Sequence, residues 1–545
     1  MKKFCPALFV FLAVLMLFTS VVSAESRADL WKKVNEAKGK GLPKTAIEHL
    51  EPIYQMAVKE GDMPDAVRAL CDKIVMEGNI QGNKPEEKIV RLEEEISKAD
   101  ESIKPVLQIV LAKWYWHYYS RNRYRFMNRS RTEGMSGKDF TTWDLPKLFA
   151  YVGDLYENVL KQEAELKKEK IERLHGFIEI GNQPTVLRPT LFDFFAHEAL
   201  FFYMVDDQSS AKPVRAFEVE IDSPAMGSAK EFLAWQPEAF DKDSCNYRAV
   251  VLMQRLMKHN QESDNLDALL DNDLLRLAWA RRVAVGDDIA EKYMKRLNAF
   301  AESHASHAHS AIALGYIAQE LYNQNRYVEA LECAEKGIKK YPGSHGAQIC
   351  QSIKDQVFTR TLNVESEKVL LPKGSKIKIS FRNIDKAYFR LYPRDEDSLF
   401  EKDSYSPEDI RWDNYEKIFA GSPSAEFSAD LDPGKEYKTQ EAWVDIPEVE
   451  PGLYYLGASV KQNFSNNGNC LLVTPVMISK LGMTMRKRDR HTEVFVVNNV
   501  SGDPMEGIRV KGYSHEYNKG WRQVLTGTTD KDGLVRFSST NGSGF

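Results

Sequence analysis

The chain has 545 residues, which at roughly 150 residues per domain predicts about three or four domains. Lys and Arg total 74 against 79 Asp and Glu, and the resulting net charge of -5 argues against a dedicated nucleic-acid binder, whose phosphate contacts need a basic excess. With 43% hydrophobic and 28% charged residues, the composition is that of a globular protein and excludes a disordered or collagen-like chain.

The first 24 residues have the pattern of a secretion signal. Lys2 and Lys3 give a positive start, residues 4–18 are apolar, and Val22-Ser23-Ala24 offers small side chains for cleavage. We therefore expect residues 1–24 to be a signal peptide and the protein to be exported, either to the periplasm or to the exterior. The alternative is that this segment is a permanent N-terminal anchor. No stretch after Glu25 has the roughly 20 apolar residues of a spanning helix, so we expect no membrane span in the mature chain.

Five cysteines follow the predicted signal peptide. They are Cys71, Cys245, Cys333, Cys350 and Cys470. An odd and sparse set of cysteines does not make a disulfide scaffold.

Residues 25–360 have the apolar spacing of helices. Two sets of leucines and valines show it: Leu148, Val152, Leu155 and Val159, and Leu266, Leu269, Leu270 and Leu274. Spacings of three and four residues place each set on one helix face, and Gly and Pro between such segments predict short turns. The sequence therefore predicts an all-α region of consecutive helical hairpins.

One segment of this region resembles the tetratricopeptide pattern. Its signature residues are Ile317, Ala318, Leu321, Tyr322, Tyr327, Ala330, Ala334, Gly337 and Pro342. A weaker unit of the same kind spans residues 30–69. Such repeats bury a core by stacking on their neighbours, which favours a curved array. An irregular helical bundle is the alternative.

After Thr361 the apolar period changes to two. Ile377, Ile379 and Phe381 alternate with polar residues, which predicts a half-buried strand. Further strands are predicted at 387–391, 453–460 and 471–478, and together they indicate a first β-sandwich at 361–480.

A second β unit begins at residue 481. Its predicted strands are 493–497, 508–513 and 534–537. Only about 65 residues are present, whereas a seven-stranded sandwich takes about 100. We therefore expect residues 481–545 to be the start of an incomplete sandwich and the chain to be a fragment of a longer protein.

Catalytic signatures are weak in this sequence. His197-Glu198 begins like a zinc-protease helix, but Phe201 stands where a second His ligand is required, so we expect Phe194, Phe195, Phe201 and Phe202 to pack in a core. The histidines at 304, 307 and 309 are expected on an exposed polar surface rather than around a metal. No phosphate-binding loop or Gly-x-Ser-x-Gly motif occurs. The sequence predicts no enzyme, no cofactor, and no catalytic, cofactor-binding or metal-binding residue.

The segment 114–131 is dense in aromatic and basic side chains. It contains Trp114, Tyr115, Trp116, Tyr118, Tyr119, Arg121, Arg123, Tyr124, Arg125, Phe126, Arg129 and Arg131. Three interpretations are open: packing between helices, binding of a partner protein, and stacking on nucleic acid. Helix-neighbour spacings such as that of Trp114 and Tyr118 favour packing. A glycan-active enzyme that uses these aromatic residues is a remote alternative.

Six short motifs resemble the large bacterial alpha-2-macroglobulin-like proteins. In the helical region they are residues 121–126, 139–144 and 188–197, and in the β region 450–454, 501–508 and 529–534. The resemblance covers nearly all of the mature chain and rests on the ordered combination of these motifs. It implies macroglobulin-type, immunoglobulin-like sandwiches after a helical region.

The resemblance also implies a secreted or periplasmic endopeptidase trap, in which cleavage of a bait segment closes the molecule on the protease. Many members hold an internal thioester in a Cys-x-Glu-Gln motif. The best match here is Cys333-Ala334-Glu335-Lys336, where a Lys that cannot form the acyl bond replaces Gln. The thioester and bait are therefore expected beyond Phe545, and no functional residue is transferred to this chain.

These observations lead to two hypotheses. The first is the N-terminal part of an alpha-2-macroglobulin-like endopeptidase inhibitor that acts on proteases through the full-length protein. The second is a cell-envelope scaffold whose helical array binds a partner protein and whose sandwiches are spacers.

Overall fold

The computed structural model describes residues 25–82, 84–127, 137, 139–179, 181, 184–205, 217–395, 415–488, 491–516 and 520–538. Contacts within the chain divide it into two compact units, Met1–Ala299 and Phe300–Phe545. Within the described ranges, no helix is both long and apolar enough to cross a lipid bilayer.

Helices form the chain from residue 27 to residue 303. They are α1 (Arg27–Gly39), α2 (Pro43–Glu60), α3 (Met63–Ile80), α4 (Pro85–Lys98), α5 (Lys104–Arg121), α6 (Arg123–Met127), α7 (Leu145–Leu160), α8 (Glu163–Leu166), α9 (Leu191–Tyr203), α10 (Ala229–Ala234), α11 (Cys245–Glu262), α12 (Leu266–Val283) and α13 (Ile289–Ser303). Short 3-10 turns lie at Phe140–Thr142, Ile171–Leu174, Thr185–Leu187 and Pro224–Met226. In the described part of this region, extended pairing is limited to isolated bridges such as Lys170 with Thr190.

The ends of these helices follow from local sequence. Gly61, with a φ of 72°, ends α2 in the left-handed conformation that glycine adopts without steric cost. Asp62 then begins α3, because its carboxylate accepts a hydrogen bond from the Asp65 backbone N–H at 3.2 Å. The α9 helix begins with a reciprocal capping box between Thr190 and Asp193.

Three closely packed helices precede the strands. They are α14 (His309–Asn323), α15 (Tyr327–Lys340) and α16 (His345–Phe358). A Cβ atom on Gly337 would lie 2.5 Å from the Sγ of Cys350, and one on Gly315 would lie 2.7 Å from the Cγ2 of Ile349. Glycine is therefore required for the helices to approach this closely.

The first β region contains two sheets. Its strands are β1 (Thr361–Glu365), β2 (Val369–Leu370), β3 (Lys376–Arg382), β4 (Lys386–Pro393), β5 (Ala425–Asp430), β6 (Gln440–Asp445), β7 (Gly452–Ser459) and β8 (Leu471–Ile478), with the short helix α17 (Tyr415–Phe419) before β5. The sheet orders are β1-β3-β6 and β2-β8-β7-β4-β5. Inward side chains of both sheets, among them Ile379 and Phe389, share one hydrophobic core.

The second β region is smaller. Its strands are β9 (Leu481–Lys487), β10 (His491–Asn498), β11 (Arg509–Glu516), β12 (Gly520–Thr528) and β13 (Leu534–Ser538). A three-stranded sheet of order β13-β10-β9 and a two-stranded sheet β11-β12 enclose a core built on Val494, Val496, Val535 and Phe537.

The predicted change from helices to strands near residue 361 is confirmed, and each predicted strand is present within a few residues. One helix-face prediction was partly wrong: Leu266 is exposed, because it is the first residue of α12 and lies before the buried turn that contains Leu270. The predicted domain boundaries at 360 and 480 stay predictions.

Candidate functional site

The aromatic segment of α5 lies largely in the protein core. Tyr115, Tyr118 and Tyr119 are buried, and the half-buried Trp116 has its ring centroid 5.5 Å from that of Phe202 on α9 and 5.9 Å from that of Phe149 on α7. The Trp116–Phe202 pair is edge-to-face and the Trp116–Phe149 pair is tilted, and aromatic contacts of this kind stabilise helix packing. The packing interpretation is therefore confirmed for these side chains.

One carboxylate organises the hydroxyl groups of this core. Glu93 on α4 accepts hydrogen bonds from Tyr115 at 2.8 Å and Tyr151 at 2.6 Å through the same oxygen. Burial raises the pKa of both tyrosines, and the hydrogen bonds to Glu93 raise it further. Both hydroxyl groups are therefore neutral donors, and their role is to join α4, α5 and α7.

Apart from Phe126, the aromatic and basic side chains at positions 121–126 of the segment are exposed. Phe126 is buried on α6, with its ring centroid 5.8 Å from that of Tyr119, and it fixes this short helix to the core. Tyr124 is 83% exposed, and Arg121 and Arg125 are exposed beside it. Arg129 and Arg131 lie outside the described residues. Within the described part of the segment, these side chains form a surface that a partner can reach.

His197 is a core residue of α9. Its ring is buried, and its Nδ1–H donates a hydrogen bond to the Asp193 carbonyl at 2.7 Å. Burial, together with the positive charge of Arg188, lowers the pKa of His197 to about 4. The imidazole is therefore neutral at pH 7 and enclosed by the helices around it.

The expectation that all four phenylalanines around His197 lie in the core was wrong for Phe201. Phe195 and Phe202 are buried and Phe194 is half-buried, but Phe201 is 66% exposed. Successive residues are about 100° apart around a helix, so the residue beside an inward-facing Phe202 points away from the core.

A buried polar cluster lies between α9, α11 and α12. Asp193 is fully buried, and it accepts hydrogen bonds from Thr190 at 2.6 Å and Asn260 at 3.0 Å. Burial alone would raise the pKa of Asp193, but His259 at 3.8 Å and these hydrogen bonds lower it. Asn272 on α12 extends the cluster through a 2.9 Å hydrogen bond to Asn260.

A second buried pair fixes the turn at residues 224–227. Arg276 and Asp273 on α12 are buried and joined at 2.5 Å, and Arg276 also donates hydrogen bonds to the Ala225 and Gly227 carbonyls. These buried polar residues were not predicted from the sequence. They could have been found as polar residues on the inward face of a predicted helix. A buried polar side chain at such a position needs a hydrogen-bond partner in the fold.

The histidine group lies in and after the turn that precedes α14. The exposed-surface expectation was wrong for His309, which is buried as the first residue of α14. Its Nδ1 lies 3.1 Å from Nδ1 of His307, and its backbone N–H also donates to that atom at 3.3 Å. His307 is therefore the acceptor. The prediction of no metal site among these histidines stays a prediction.

The segment that matches the thioester motif best is part of α15. Cys333 is buried, and its thiol donates a hydrogen bond to the Leu314 carbonyl at 3.3 Å. Burial raises its pKa to about 11, so the thiolate that would act as a nucleophile is scarce at pH 7. Glu335 forms an ion pair with Lys354 at 2.7 Å. These contacts are those of a structural helix.

The helical motifs that carry the family resemblance contain residues that begin helices. Asp139 accepts the Thr141 backbone N–H at 2.9 Å, and Asp144 accepts that of Lys147 at 3.0 Å. Thr190 caps α9 in the same way. Their polar residues therefore have a structural explanation in helix capping.

Two motifs of the β region interlock. Thr529 accepts a hydrogen bond from the Ile508 backbone N–H at 2.9 Å and donates one to the Met505 carbonyl at 2.6 Å. Gly533 has a φ of 70°, and a Cβ atom there would lie 3.1 Å from the Met505 backbone nitrogen. The fold thus joins residues 501–508 and 529–534 into one corner of the second β region.

No family model and no curated protein matches the chain. Among solved structures, a fragment of native alpha-2-macroglobulin from Escherichia coli that spans domains NIE-MG1 is similar at 14% identity and a TM-score of 0.26, over 34% of this chain and 90% of that fragment.

A longer fragment of the same E. coli protein is similar at 14% identity and a TM-score of 0.25, over 34% of this chain and 59% of that one. The N-terminal part of the bacterial S-layer protein SbsC is similar at 11% identity and a TM-score of 0.12, over 80% of this chain and 96% of that one. TM-scores this far below 0.5 do not establish a shared fold. Alpha-2-macroglobulin fragments are thus structural neighbours of this chain, and family membership is not shown.

Proposed function

We propose that the chain is the N-terminal part of a secreted or periplasmic alpha-2-macroglobulin-like endopeptidase inhibitor. It contributes structural and interaction domains, whereas the bait and thioester belong to other parts of the full-length protein. In this proposal the helical region is a tetratricopeptide-like array, the two β regions are macroglobulin-type sandwiches, and the chain itself is not an enzyme.

The observation that carries the proposal is the interlocked corner of the second β region. The motifs at 501–508 and 529–534 lie about 25 residues apart in the chain, and both belong to the ordered combination that carries the family resemblance. The hydrogen bonds of Thr529 and the close approach of Gly533 to Met505 join the two motifs, so both serve the same local structure. This shared corner of the second β region supports the resemblance.

The burial of the conspicuous chemical groups supports a role other than catalysis. His197 and Cys333 are enclosed among helices, and the Asp193 cluster is joined by hydrogen bonds within the protein. Groups arranged in this way position helices against one another rather than a substrate.

Inhibition by trapping has a distinctive kinetic signature. The protein encoded by the whole reading frame is mixed with an endopeptidase, and hydrolysis of a large protein substrate and of a short peptide is measured. A closed cage excludes large substrates but admits small ones, so we expect protein hydrolysis to fall and peptide hydrolysis to continue. Unchanged hydrolysis of both substrates at a molar excess of the protein would overturn the proposal.

The scaffold hypothesis remains as the second candidate because of the exposed surface at α6. Tyr124 extends into solvent between Arg121 and Arg125, which is the composition of protein-binding surfaces. Loss of binding to a cell-envelope partner in a Tyr124→Ala variant, together with no protease inhibition by the full-length protein, would favour the scaffold over the trap.

A further inference from the structure

Three arginines surround one carboxylate on the β9-β10-β13 sheet. The register places Glu493 of β10 opposite Arg486 of β9 and Arg536 of β13. One oxygen of Glu493 accepts from Arg486 Nε at 3.0 Å and Nη2 at 2.6 Å, and the other accepts from Arg536 Nε at 3.1 Å. Arg488 Nε is 3.7 Å from the same carboxylate. We call these four residues the guanidinium cluster.

The cluster has an excess of positive charge. Glu493 is the only acidic residue in the three strands of this sheet, so one negative charge faces three guanidinium groups. His491, the other titratable contact of Glu493, lies 3.3 Å from it. The hydrogen bonds from Arg486 and Arg536 lower the pKa of Glu493 to about 2, so its carboxylate is charged throughout the neutral range.

The guanidinium groups face solvent, whereas the carboxylate does not. The side chain of Glu493 is 7% exposed, but those of Arg486, Arg488 and Arg536 are 53% to 62% exposed. Arg488 and Arg536 contact the carboxylate through Nε, so their contacts leave the Nη donors for other acceptors. The buried carboxylate therefore holds a set of outward-facing donors in place.

The β1-β3-β6 sheet in the same Phe300–Phe545 unit differs from the guanidinium cluster in how its charges are paired. On the β1-β3-β6 sheet, Lys376 pairs with Asp445 at 3.2 Å and Lys378 with Glu441 at 2.8 Å. Each cation there has its own carboxylate, so the pairing is balanced. The unbalanced charge therefore distinguishes the guanidinium cluster from this sheet face.

We propose that the guanidinium cluster binds multiply charged oxyanions of the phosphate class. The planar fork of a guanidinium group matches two oxygens of a phosphate, and several such forks around one point favour a ligand with more than one negative charge. The ligand bridges the outer Nη donors of Arg488 and Arg536, while Glu493 keeps their Nε edges fixed. The inference does not depend on the proposed inhibitor function.

Pyrophosphate is the first probe, measured by isothermal titration calorimetry on the full chain at low ionic strength. We expect saturable binding that weakens as salt is added, because these contacts are exposed. The double variant Arg488→Gln/Arg536→Gln should bind at least tenfold more weakly. The matched control Lys376→Gln/Lys378→Gln removes the same formal charge from the balanced sheet face and should change affinity less than twofold. No binding by the unmodified chain, or equal losses in both double variants, would overturn the proposal.

The variant Glu493→Gln should change the affinity for pyrophosphate in the opposite direction from the double arginine variant. Gln keeps an amide oxygen that accepts from the guanidinium groups but removes the negative charge that repels an anion, so we expect pyrophosphate to bind several-fold more tightly and to raise the melting temperature of this variant more than that of the unmodified chain. A site that served only to stabilise the sheet would lose stability without this gain in affinity, and that result would contradict the proposal.

Two sources of phosphate are distinguished with vesicles. Sedimentation of the full chain with phosphatidic acid vesicles, but not with phosphatidylcholine vesicles, together with loss of sedimentation in the double arginine variant, assigns the ligand to a lipid headgroup. Pyrophosphate binding without sedimentation assigns it to a free phosphate compound.

Discussion

Replacing Trp116 distinguishes a role in packing, which affects stability, from a role in surface recognition, which affects binding. Its ring lies among those of Tyr119, Phe149 and Phe202. We expect Trp116→Ala to lower the free energy of unfolding by about 3 kcal/mol, because a large aromatic side chain is removed from a packed cluster. Urea denaturation measures the change.

His117→Ala is the matched control, since the neighbouring His117 is exposed and should change stability by less than about 0.5 kcal/mol. Trp114 is also half-buried and should show a loss when replaced by Ala. Unchanged stability in Trp116→Ala with lost binding to a partner would favour surface recognition instead.

His197 makes the stability of the helical region depend on pH. Its pKa is lowered to about 4 by burial, whereas an unfolded histidine has a pKa of about 6.5. Below pH 6.5 the unfolded state binds a proton that the folded state does not, so the stabilising contribution is complete above pH 6.5 and is lost as pH falls toward 4. We expect a loss of roughly 3 kcal/mol over this window.

His197→Asn tests this prediction, because Asn keeps a donor for the Asp193 carbonyl and does not titrate. The pH dependence measured by urea denaturation between pH 7 and 4 should become shallower in this variant. Replacement of the exposed His175 by Asn should leave it unchanged. An identical slope in His197→Asn and the unmodified chain would show that other groups account for the dependence.

At the scale of elements, Gly346 sets the approach of α16 to α14. A Cβ atom there would lie 2.5 Å from the Ala311 carbonyl carbon and 2.7 Å from its Cβ, and it would also contact the Ile312 backbone nitrogen. We expect Gly346→Ala to destabilise the Phe300–Phe545 unit by about 2 kcal/mol, because backbone atoms cannot move aside as a flexible side chain does. Thermal denaturation of the variant measures the effect.

The control for this substitution is Gly39→Ala. Gly39 is also helical, but a Cβ atom there has no neighbour within 4 Å. Alanine should therefore stabilise α1 by up to about 1 kcal/mol through its higher helix propensity. A neutral or stabilising effect of Gly346→Ala would mean that α14 and α16 are more loosely packed than described.

Arg382 joins α16 to the first β region. This buried side chain donates hydrogen bonds to the Gln356 carbonyl at 2.6 Å and the Thr359 carbonyl at 3.4 Å, and its guanidinium carbon lies 5.3 Å from the ring centroid of Tyr327. The carbonyls at a helix C-terminus carry partial negative charge, which an arginine stabilises.

We expect Arg382→Ala to lower the free energy of unfolding by about 2 kcal/mol, because the charge-assisted hydrogen bonds to the two carbonyls and the contact with the Tyr327 ring are lost. Chemical denaturation of the Phe300–Phe545 unit measures the loss. Arg360→Ala removes an exposed arginine close to the same helix end and should have little effect. Equal effects of the two variants would show that only the overall charge matters.

At the scale of the whole molecule, the proposed inhibitor function predicts an inactive chain. The segment best matched to a thioester site is a buried part of α15, and the bait is expected elsewhere. We therefore expect residues 25–545 alone to leave the hydrolysis of a protein substrate by an endopeptidase unchanged. Dose-dependent protection of the substrate by this chain would contradict the assignment of trapping to other parts of the protein.

Much of the fold was predictable from local pattern. Ile377, Ile379 and Phe381 alternate with polar residues, and they lie on the buried face of β3 as expected. Strands β1, β5, β6, β9 and β12 were not predicted, because their apolar residues are few or partly exposed, as in β9 with Met483 and Met485. The two-residue strand β2 is too short to show a period and was also not predicted. Pairing with a neighbouring strand, which local sequence does not reveal, holds these segments extended.

The sequence by itself determined the types of the main elements, their order, and the change from helices to strands near residue 361, because hydrophobic period is a local property of the chain. The tertiary structure alone decided that Phe201 faces solvent, that His309 is buried, and that Glu493 gathers three arginines. These outcomes depend on contacts between residues distant in the sequence, since burial and charge pairing are set by the neighbours that the fold supplies.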